Sequence, residues 1–235
     1  VSSFYDIMRK GRKGVRWTCC CRQNKIICGY TIIMEHISEI LYKNSEKIAY
    51  ICDDESITYR ELMLYSDRLA KYILKNFGVG NKDAIAVYGH KDFLMLVSFL
   101  ACTKSGHPYC PMDISFTRNR VEDVLTITNS KFSIFTEDLI VDEKFSILDK
   151  EDILDIINDE KYDDISNDGL YKIEPEDIVY IIFTSGSTGK PKGVQITYNN
   201  LNNYIGWIHN VVGNEKNKIY LNQAPFSFDL SVMDL

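Results

Sequence analysis

No stretch of the sequence approaches 18 consecutive apolar residues, so it offers no candidate for a membrane-spanning helix. Positive charge is not in excess either: 27 Lys and Arg stand against 33 Asp and Glu, a net charge of −6. This balance gives no reason to expect nucleic acid or an anionic membrane as a partner. With 235 residues, of which 45% are hydrophobic and 26% charged, the chain has the composition of a globular protein with a sizeable core.

Regularly spaced cysteines are also missing. The chain has seven, an odd number, whereas a secreted disulfide framework needs regular spacing in a short chain. We therefore expect reduced thiols in a cytoplasmic compartment, and we predict that Cys102 and Cys110, which lie in apolar stretches, are core residues. Cys19, Cys20 and Cys21 are adjacent, so their side chains cannot converge on one tetrahedral ion. The four histidines show no ligand spacing, and we predict no metal site.

Residues 1–33 form a basic, cysteine-rich leader that differs from the rest of the chain. They lack an initiator Met and hold seven of the 27 Lys and Arg but one of the 33 acidic residues. A signal peptide would place basic residues ahead of an apolar stretch such as 26–34. That stretch is interrupted, however, and no small-residue cleavage site follows it. We interpret the leader as upstream sequence that is not translated in the natural protein, and we predict that one partial domain occupies 34–235, starting at Met34.

From Met34 onward, strand-like and helix-like patterns alternate. Short apolar runs predict strands, at residues 48–52, 84–88, 108–112, 132–135, 147–148, 178–183, 193–196 and 219–221. Helical spacing of apolar residues predicts helices between these strands, the last with inward-facing Leu201, Tyr204, Ile205, Ile208, Val211 and Val212. The alternation predicts an α/β fold with a mainly parallel sheet and flanking helices, incomplete at its C-terminus.

Polar residues mark the predicted helix starts. Thr58 is followed three residues later by Glu61, which is the pattern of a capping box. The other predicted caps are Asp92, either Ser115 or Thr117, and Thr197.

Residues 184–193 carry the composition of a phosphate-binding loop between two strands. These ten residues hold three glycines, four hydroxyl groups and two lysines. Glycines allow backbone N–H groups to approach an oxyanion, hydroxyl groups donate hydrogen bonds, and lysines neutralise charge. A flexible surface turn would have the same composition, so composition alone leaves both interpretations open. The spacing excludes the Walker motif, because Pro191 follows Lys190, and it also excludes the G-x-S-x-G nucleophile elbow.

Residues 180–193 resemble the phosphate-binding signature of the adenylate-forming (AMP-binding) enzyme superfamily. Their sequence is Tyr-Ile-Ile-Phe-Thr-Ser-Gly-Ser-Thr-Gly-Lys-Pro-Lys-Gly. Three further stretches resemble motifs of the same superfamily in the same order, at 57–62, 103–113 and 224–233. The Phe-Asp-Leu-Ser run at 228–231 is similar to a motif of the amino-acid-activating branch. Within that branch, the chain is most similar to the ligases that load D-alanine onto a carrier protein.

The resemblance implies an α/β large domain and a carboxylate-activating ligase that uses ATP and Mg²⁺. It implies ATP phosphate contacts for Thr184 and Ser185, with Ser187, Thr188 and Lys192 closing a loop that contains Gly186 and Gly189. It implies that Asp229 holds the α-ammonium group of the substrate, and a carboxylate suits that task. The alternative for Asp229 is an ordinary turn or N-cap residue. Phe226 and Phe228 alternate with polar residues, which is typical of a strand, and we predict that the pair lies in the core or in the wall of a pocket.

The implied partners are D-alanine or another amino acid and a phosphopantetheinylated carrier protein, in teichoic acid D-alanylation. The family's adenine-binding segment, ribose-binding aspartate and catalytic lysine have no counterpart in this chain, so we expect it to be inactive alone. Two alternatives stay open: part of a nonribosomal peptide synthetase adenylation domain, or a non-catalytic gene remnant.

Overall fold

The computed structural model describes residues 43–53, 55–78, 83–163, 170–185, 190–212 and 219–233. The predicted leader and the predicted start at Met34 lie outside these ranges. The strands are β1 (Ile48–Cys52), β2 (Glu55–Thr58), β3 (Ile85–Gly89), β4 (Tyr109–Asp113), β5 (Ser133–Phe135), β6 (Ile147–Leu148), β7 (Ile178–Ser185) and β8 (Pro191–Thr197). The α-helices are α1 (Tyr59–Phe77), α2 (Phe93–Lys104), α3 (Arg118–Thr128), α4 (Lys150–Asn158) and α5 (Tyr198–Val212), and two 3-10 helices span Glu160–Tyr162 and Asp229–Met233.

Six strands form one sheet in the order β6-β5-β3-β4-β7-β8, and β1 and β2 form a separate antiparallel pair. Every pairing in the large sheet is parallel except that of β7 with β8. The predicted α/β fold with a mainly parallel sheet is therefore confirmed. Parallel pairing requires crossovers, and the helices between β3, β4 and β5 supply them.

The sheet is covered on both faces, as a parallel sheet requires. On one face, α1, α2 and α4 bury a cluster that includes Leu69, Ile73 and Met95 against Ile85 and Val87 of β3. On the other face, α3 contributes Val121, Val124 and Leu125 to a second cluster with Ala86 and Tyr88. Alternate residues of β3 thus face opposite layers, which explains why the whole strand is apolar. Cys102 and Cys110 are both fully buried, as predicted.

The predicted helix starts are confirmed. Thr58 and Glu61 form the complete capping box at the start of α1, and Asp92 accepts a hydrogen bond from the Met95 backbone at the start of α2. Of the two candidates for α3, Thr117 is the cap. Each cap satisfies a backbone N–H group that the first turn leaves without a helical acceptor.

Three predictions near the C-terminus are wrong. Residues 219–221 are irregular rather than a strand, with Ile219 96% and Leu221 81% exposed. Phe226 and Phe228 lie in a turn that leads into a 3-10 helix rather than in a strand, and Phe228 is 58% exposed, whereas Phe226 is buried in the core as predicted. Val211 does not face inward, because it is 62% exposed. Alternation and apolar character produce a strand only where a neighbouring strand supplies hydrogen-bonding partners.

Candidate functional site

The carboxyl ends of β3, β4 and β7 meet at one edge of the sheet because these strands are parallel. The helices that follow β3 and β4 leave towards opposite faces, which creates a crevice of the kind where α/β proteins bind ligands. His90, in the turn after β3, and Asp113, the last residue of β4, meet there: His90 Nδ1 lies 3.5 Å from Asp113 Oδ2. Asp113 also accepts a 3.0 Å hydrogen bond from the Ser115 backbone. The turn after β4 is thereby fixed at the crevice.

The predicted phosphate loop joins β7 to β8 at this same edge. Thr184 lies opposite Lys192 in the antiparallel ladder, and Ser185 lies opposite Pro191. The Thr184 hydroxyl donates to the Lys192 carbonyl at 3.4 Å, and the side chains of both residues are exposed. The structure describes Ser185 through its backbone only. The other predicted loop residues, Gly186, Ser187, Thr188 and Gly189, lie outside the described residues.

The base of the hairpin is held by contacts that the sequence did not reveal. Arg120, in the first turn of α3, donates from Nη2 to the Phe183 carbonyl at 3.4 Å, and its guanidinium lies 4.3 Å from the centre of the Phe116 ring. A Cβ at Gly193 would lie 2.8 Å from Ile181 Cγ2, so only glycine fits there without movement. These contacts fix the strands from which the loop extends.

Asp229 begins the short 3-10 helix and is exposed. Burial raises the pKa of Tyr180 to about 12, and the Asp229 carboxylate adds to that rise. Tyr180 lies in β7 opposite Tyr109, the first residue of β4. The described contacts of the segment that carries Asp229 are to α2 and to the turn after β3, and 44 positions separate Asp229 from Ser185 in the sequence.

A lysine that the sequence analysis did not single out holds the Asp229 segment. Lys91, in the turn after β3, donates from Nζ to the Asn222 carbonyl at 2.8 Å and also to the Gln223 carbonyl. The sequence carries no signal for this contact, because more than 130 residues separate the partners.

The motif at 103–113 has a structural role. Lys104 Nζ donates to Ser66 Oγ and to Asp67 Oδ1, both at 2.7 Å, and burial lowers the Lys104 pKa against the opposing effect of Asp67. Gly106 has a φ of 78° and lies against the Tyr171 ring, where a Cβ would be 2.6 Å from Cγ. His107 is buried, with Nδ1 3.0 Å from the Asp83 carbonyl. These contacts fix the turn that leads from α2 into β4.

Among the described residues, no group of three or more His, Cys, Asp or Glu is arranged to hold a metal ion. No helix in the same ranges combines the length and the apolar character that crossing a bilayer demands.

The family model for the AMP-binding enzyme matches residues 38–235. The chain belongs to this family, as the motifs predicted. Its curated relatives include the D-alanine--D-alanyl carrier protein ligase of Bacillus licheniformis, 40% identical over 209 residues that cover 86% of this chain and 40% of that protein. The ligase of the same name from Listeria welshimeri is 39% identical over 208 residues, covering 87% and 40%. The chain thus spans about 40% of the length of these relatives.

Solved structures confirm the fold. The N-terminal subdomain of Klebsiella oxytoca NpsA, in complex with 3-hydroxybenzoyl-AMSN, matches with a TM-score of 0.71 at 24% identity, covering 86% of this chain and 49% of that one. The nonribosomal peptide synthetase FmoA3 also gives 0.71, at 20% identity, covering 85% of this chain and 21% of that one.

Proposed function

We propose that this chain is part of an ATP-dependent ligase that activates D-alanine as its adenylate and transfers it to the thiol of a phosphopantetheinylated carrier protein. The observation that carries the proposal is the 40% identity to the Bacillus licheniformis ligase. In this proposal the carrier delivers D-alanine for teichoic acid modification, and activation occurs in the cytoplasm, where ATP is available.

The hairpin loop between β7 and β8 would hold the ATP phosphates. Its position supports this role, because the loop lies at the carboxyl edge of a parallel sheet. The exposed side chains of Lys190 and Lys192 add positive charge to the described part of the loop. The residues assigned to the phosphates are Thr184, Ser185, Gly186, Ser187, Thr188, Gly189 and Lys192.

Mg²⁺ would arrive bound to the ATP phosphates rather than in a site made by protein ligands alone. Mg²⁺ keeps several waters and commonly binds through substrate phosphates with one or two carboxylates.

Asp229 would pair with the substrate α-ammonium group. Its exposure leaves the carboxylate accessible, and its influence on Tyr180 supports a position beside the strand that leads into the phosphate loop. A carboxylate in this position favours an amino acid over a fatty acid, because an ammonium group forms a charge-assisted hydrogen bond that a methylene group cannot.

The chemistry takes two steps. A carboxylate oxygen of the amino acid forms a bond to the α-phosphorus of ATP, and the bond from that phosphorus to pyrophosphate breaks. The carrier thiol, having lost its proton, then attacks the acyl carbon, and AMP leaves with the bonding electrons. The contribution of this chain is to the first step: N–H donors and lysines placed where negative charge accumulates on the departing pyrophosphate.

The test is amino-acid-dependent exchange of labelled pyrophosphate into ATP. The chain would be assayed alone and joined to the part of the Bacillus licheniformis ligase that it does not match. We expect exchange with D-alanine from the joined protein and none from the chain alone. Exchange that no amino acid stimulates, from a joined protein that is folded by circular dichroism, would contradict the proposal.

Asp229→Asn sharpens this test. Loss of a charge-assisted hydrogen bond of about 1.5–3 kcal/mol predicts a roughly 10- to 150-fold higher KM for D-alanine, with the KM for ATP little changed. Asp155→Asn is the matched control, because Asp155 is also exposed and lies on the helix α4 rather than after a strand of the sheet. Equal effects of the two substitutions would remove the assigned role of Asp229.

A nonribosomal peptide synthetase adenylation domain is the second candidate, since FmoA3 shares the fold. The same assay separates the two: preference for an amino acid other than D-alanine would favour the synthetase.

A further inference from the structure

The segment from Asn222 to Ser231 carries Asp229 but belongs to no sheet strand. It is closed on itself by short-range hydrogen bonds. Ser231 Oγ donates to the Phe228 carbonyl at 2.6 Å, and the Phe228 backbone N–H donates to the Pro225 carbonyl at 2.9 Å. These bonds define the shape of the segment, but they do not decide where on the protein the segment lies.

Among the described residues, Phe226 and Lys91 make contacts that attach this segment to the rest of the fold. Phe226 is buried and meets the Phe99 ring of α2 edge-on, with the ring centres 5.4 Å apart. Lys91 Nζ donates to the carbonyls of Asn222 and Gln223 at the other end of the segment. The apolar contact holds Phe226 against α2, and Lys91 holds the N-terminal end of the segment.

Lys91 is itself held in place. Its backbone carbonyl accepts a hydrogen bond from the Cys52 thiol of β1, and the next residue, Asp92, caps α2. The lysine therefore extends from a turn whose backbone is held on both sides. Its ammonium group can for this reason hold the carbonyls of Asn222 and Gln223 at a defined position.

We propose that Lys91 is a positioning residue for amino-acid binding: it holds the segment that bears Asp229 at the carboxyl edge of the sheet. This inference rests on the role proposed above for Asp229. Lys91 acts through two backbone carbonyls and contacts neither substrate in this account. Its loss should therefore weaken binding of the amino acid without a comparable effect on ATP.

The first experiment measures hydrogen–deuterium exchange in the 235-residue chain. Lys91→Met removes the ammonium group and keeps similar bulk, Lys91→Arg keeps donors, and Lys75→Met is the control at an exposed lysine of α1. We expect amides of 222–231 to exchange at least about tenfold faster in Lys91→Met, with smaller changes in Lys91→Arg and none in Lys75→Met. Unchanged hydrogen–deuterium exchange in 222–231, or an equal increase throughout the chain, would contradict the proposal that Lys91 holds this segment.

The second experiment separates positioning from a purely structural role. In the joined ligase, Lys91→Met should raise the KM for D-alanine about 5- to 20-fold, by analogy with outer-shell residues that orient ligands. The KM for ATP should change less than about twofold, and Lys91→Arg should restore part of the loss. Equal changes in both KM values would contradict a specific role for Lys91. Failure of the unsubstituted joined ligase to use any amino acid would contradict the proposed function instead. In that case the hydrogen–deuterium exchange of 222–231 would still test whether Lys91 holds this segment.

Discussion

β3 and β8 are strands of the same sheet, but their surroundings differ sharply. β3 pairs with β4 and β5, has helices on both faces, and is buried at all five positions. In the described structure β8 pairs with β7 alone, and its four residues from Lys192 to Gln195 are all exposed. The comparison shows that the centre of the sheet is held by burial, whereas the candidate site lies on a hairpin held mainly by backbone hydrogen bonds.

The same contrast separates α2 from the Asp229 segment. The helix is buried nearly all round, while in the described structure four of the ten segment residues are exposed and the segment is attached through Phe226 and Lys91. Loops and edges carry function more often than cores do because they can rearrange around a ligand. Substitutions should therefore affect stability most at the centre and binding most at the edge.

The largest expected effect is at the centre. Leu69→Ala in α1 removes a fully buried side chain and leaves a cavity, which should lower the free energy of unfolding by about 2–5 kcal/mol. Leu64→Ala is the control, since Leu64 lies on the same helix with 36% of its surface exposed, and it should cost less than about 1 kcal/mol. Urea denaturation measures both. Similar costs at the two positions would show that this layer is not the stabilising core.

An intermediate effect is expected at the hairpin. Gly193→Ala forces a Cβ to within 2.8 Å of Ile181 and should cost about 1–3 kcal/mol by overpacking. Gly206→Ala is the control, because a Cβ in that helical position would meet nothing within 4 Å. It should stabilise the protein by up to about 1 kcal/mol. Thermal unfolding of the two variants should shift in opposite directions, and a shift in the same direction would contradict the close packing at Gly193.

The smallest expected effect is at the start of α1. Thr58→Ala removes a capping hydroxyl and should lower the free energy of unfolding by about 1 kcal/mol.

Hydrogen bonds from the Thr58 backbone and hydroxyl lower the pKa of Glu61. This contribution is complete above the unfolded-state pKa of Glu61 and is lost as pH falls through its lower folded-state pKa. Stability between pH 7 and 3 should therefore fall less steeply in Glu61→Gln than in the unsubstituted chain. An unchanged slope would show that the capping box contributes nothing to the acid dependence.

Most of the fold could be predicted because local chemistry and tertiary structure agree there. The Thr58 and Asp92 caps, the apolar run at β3 and the helical pattern of α1 each require only neighbours in sequence. The errors fall where that agreement ends. Residues 219–221 have the apolar character of a strand, yet in the described structure they pair with none.

The candidate site was predicted in part. The loop composition and its resemblance to a family motif indicated Thr184 and Lys192, and Asp229 came from a second motif. Arg120 and Lys91 were missed because each binds backbone carbonyls far away in the sequence. A carbonyl acceptor leaves no trace in the identity of the residue that provides it, so no sequence pattern could reveal these contacts.

The sequence by itself determined the helix starts, the apolar strands and the family, because each depends on residues that lie close together along the chain. Only the tertiary structure decided that the Asp229 segment packs on Phe99 of α2 and that Lys91, in the turn after β3, binds its N-terminal end. These contacts join residues more than 120 positions apart, because the packing of helices on a parallel sheet brings together residues whatever their separation in sequence.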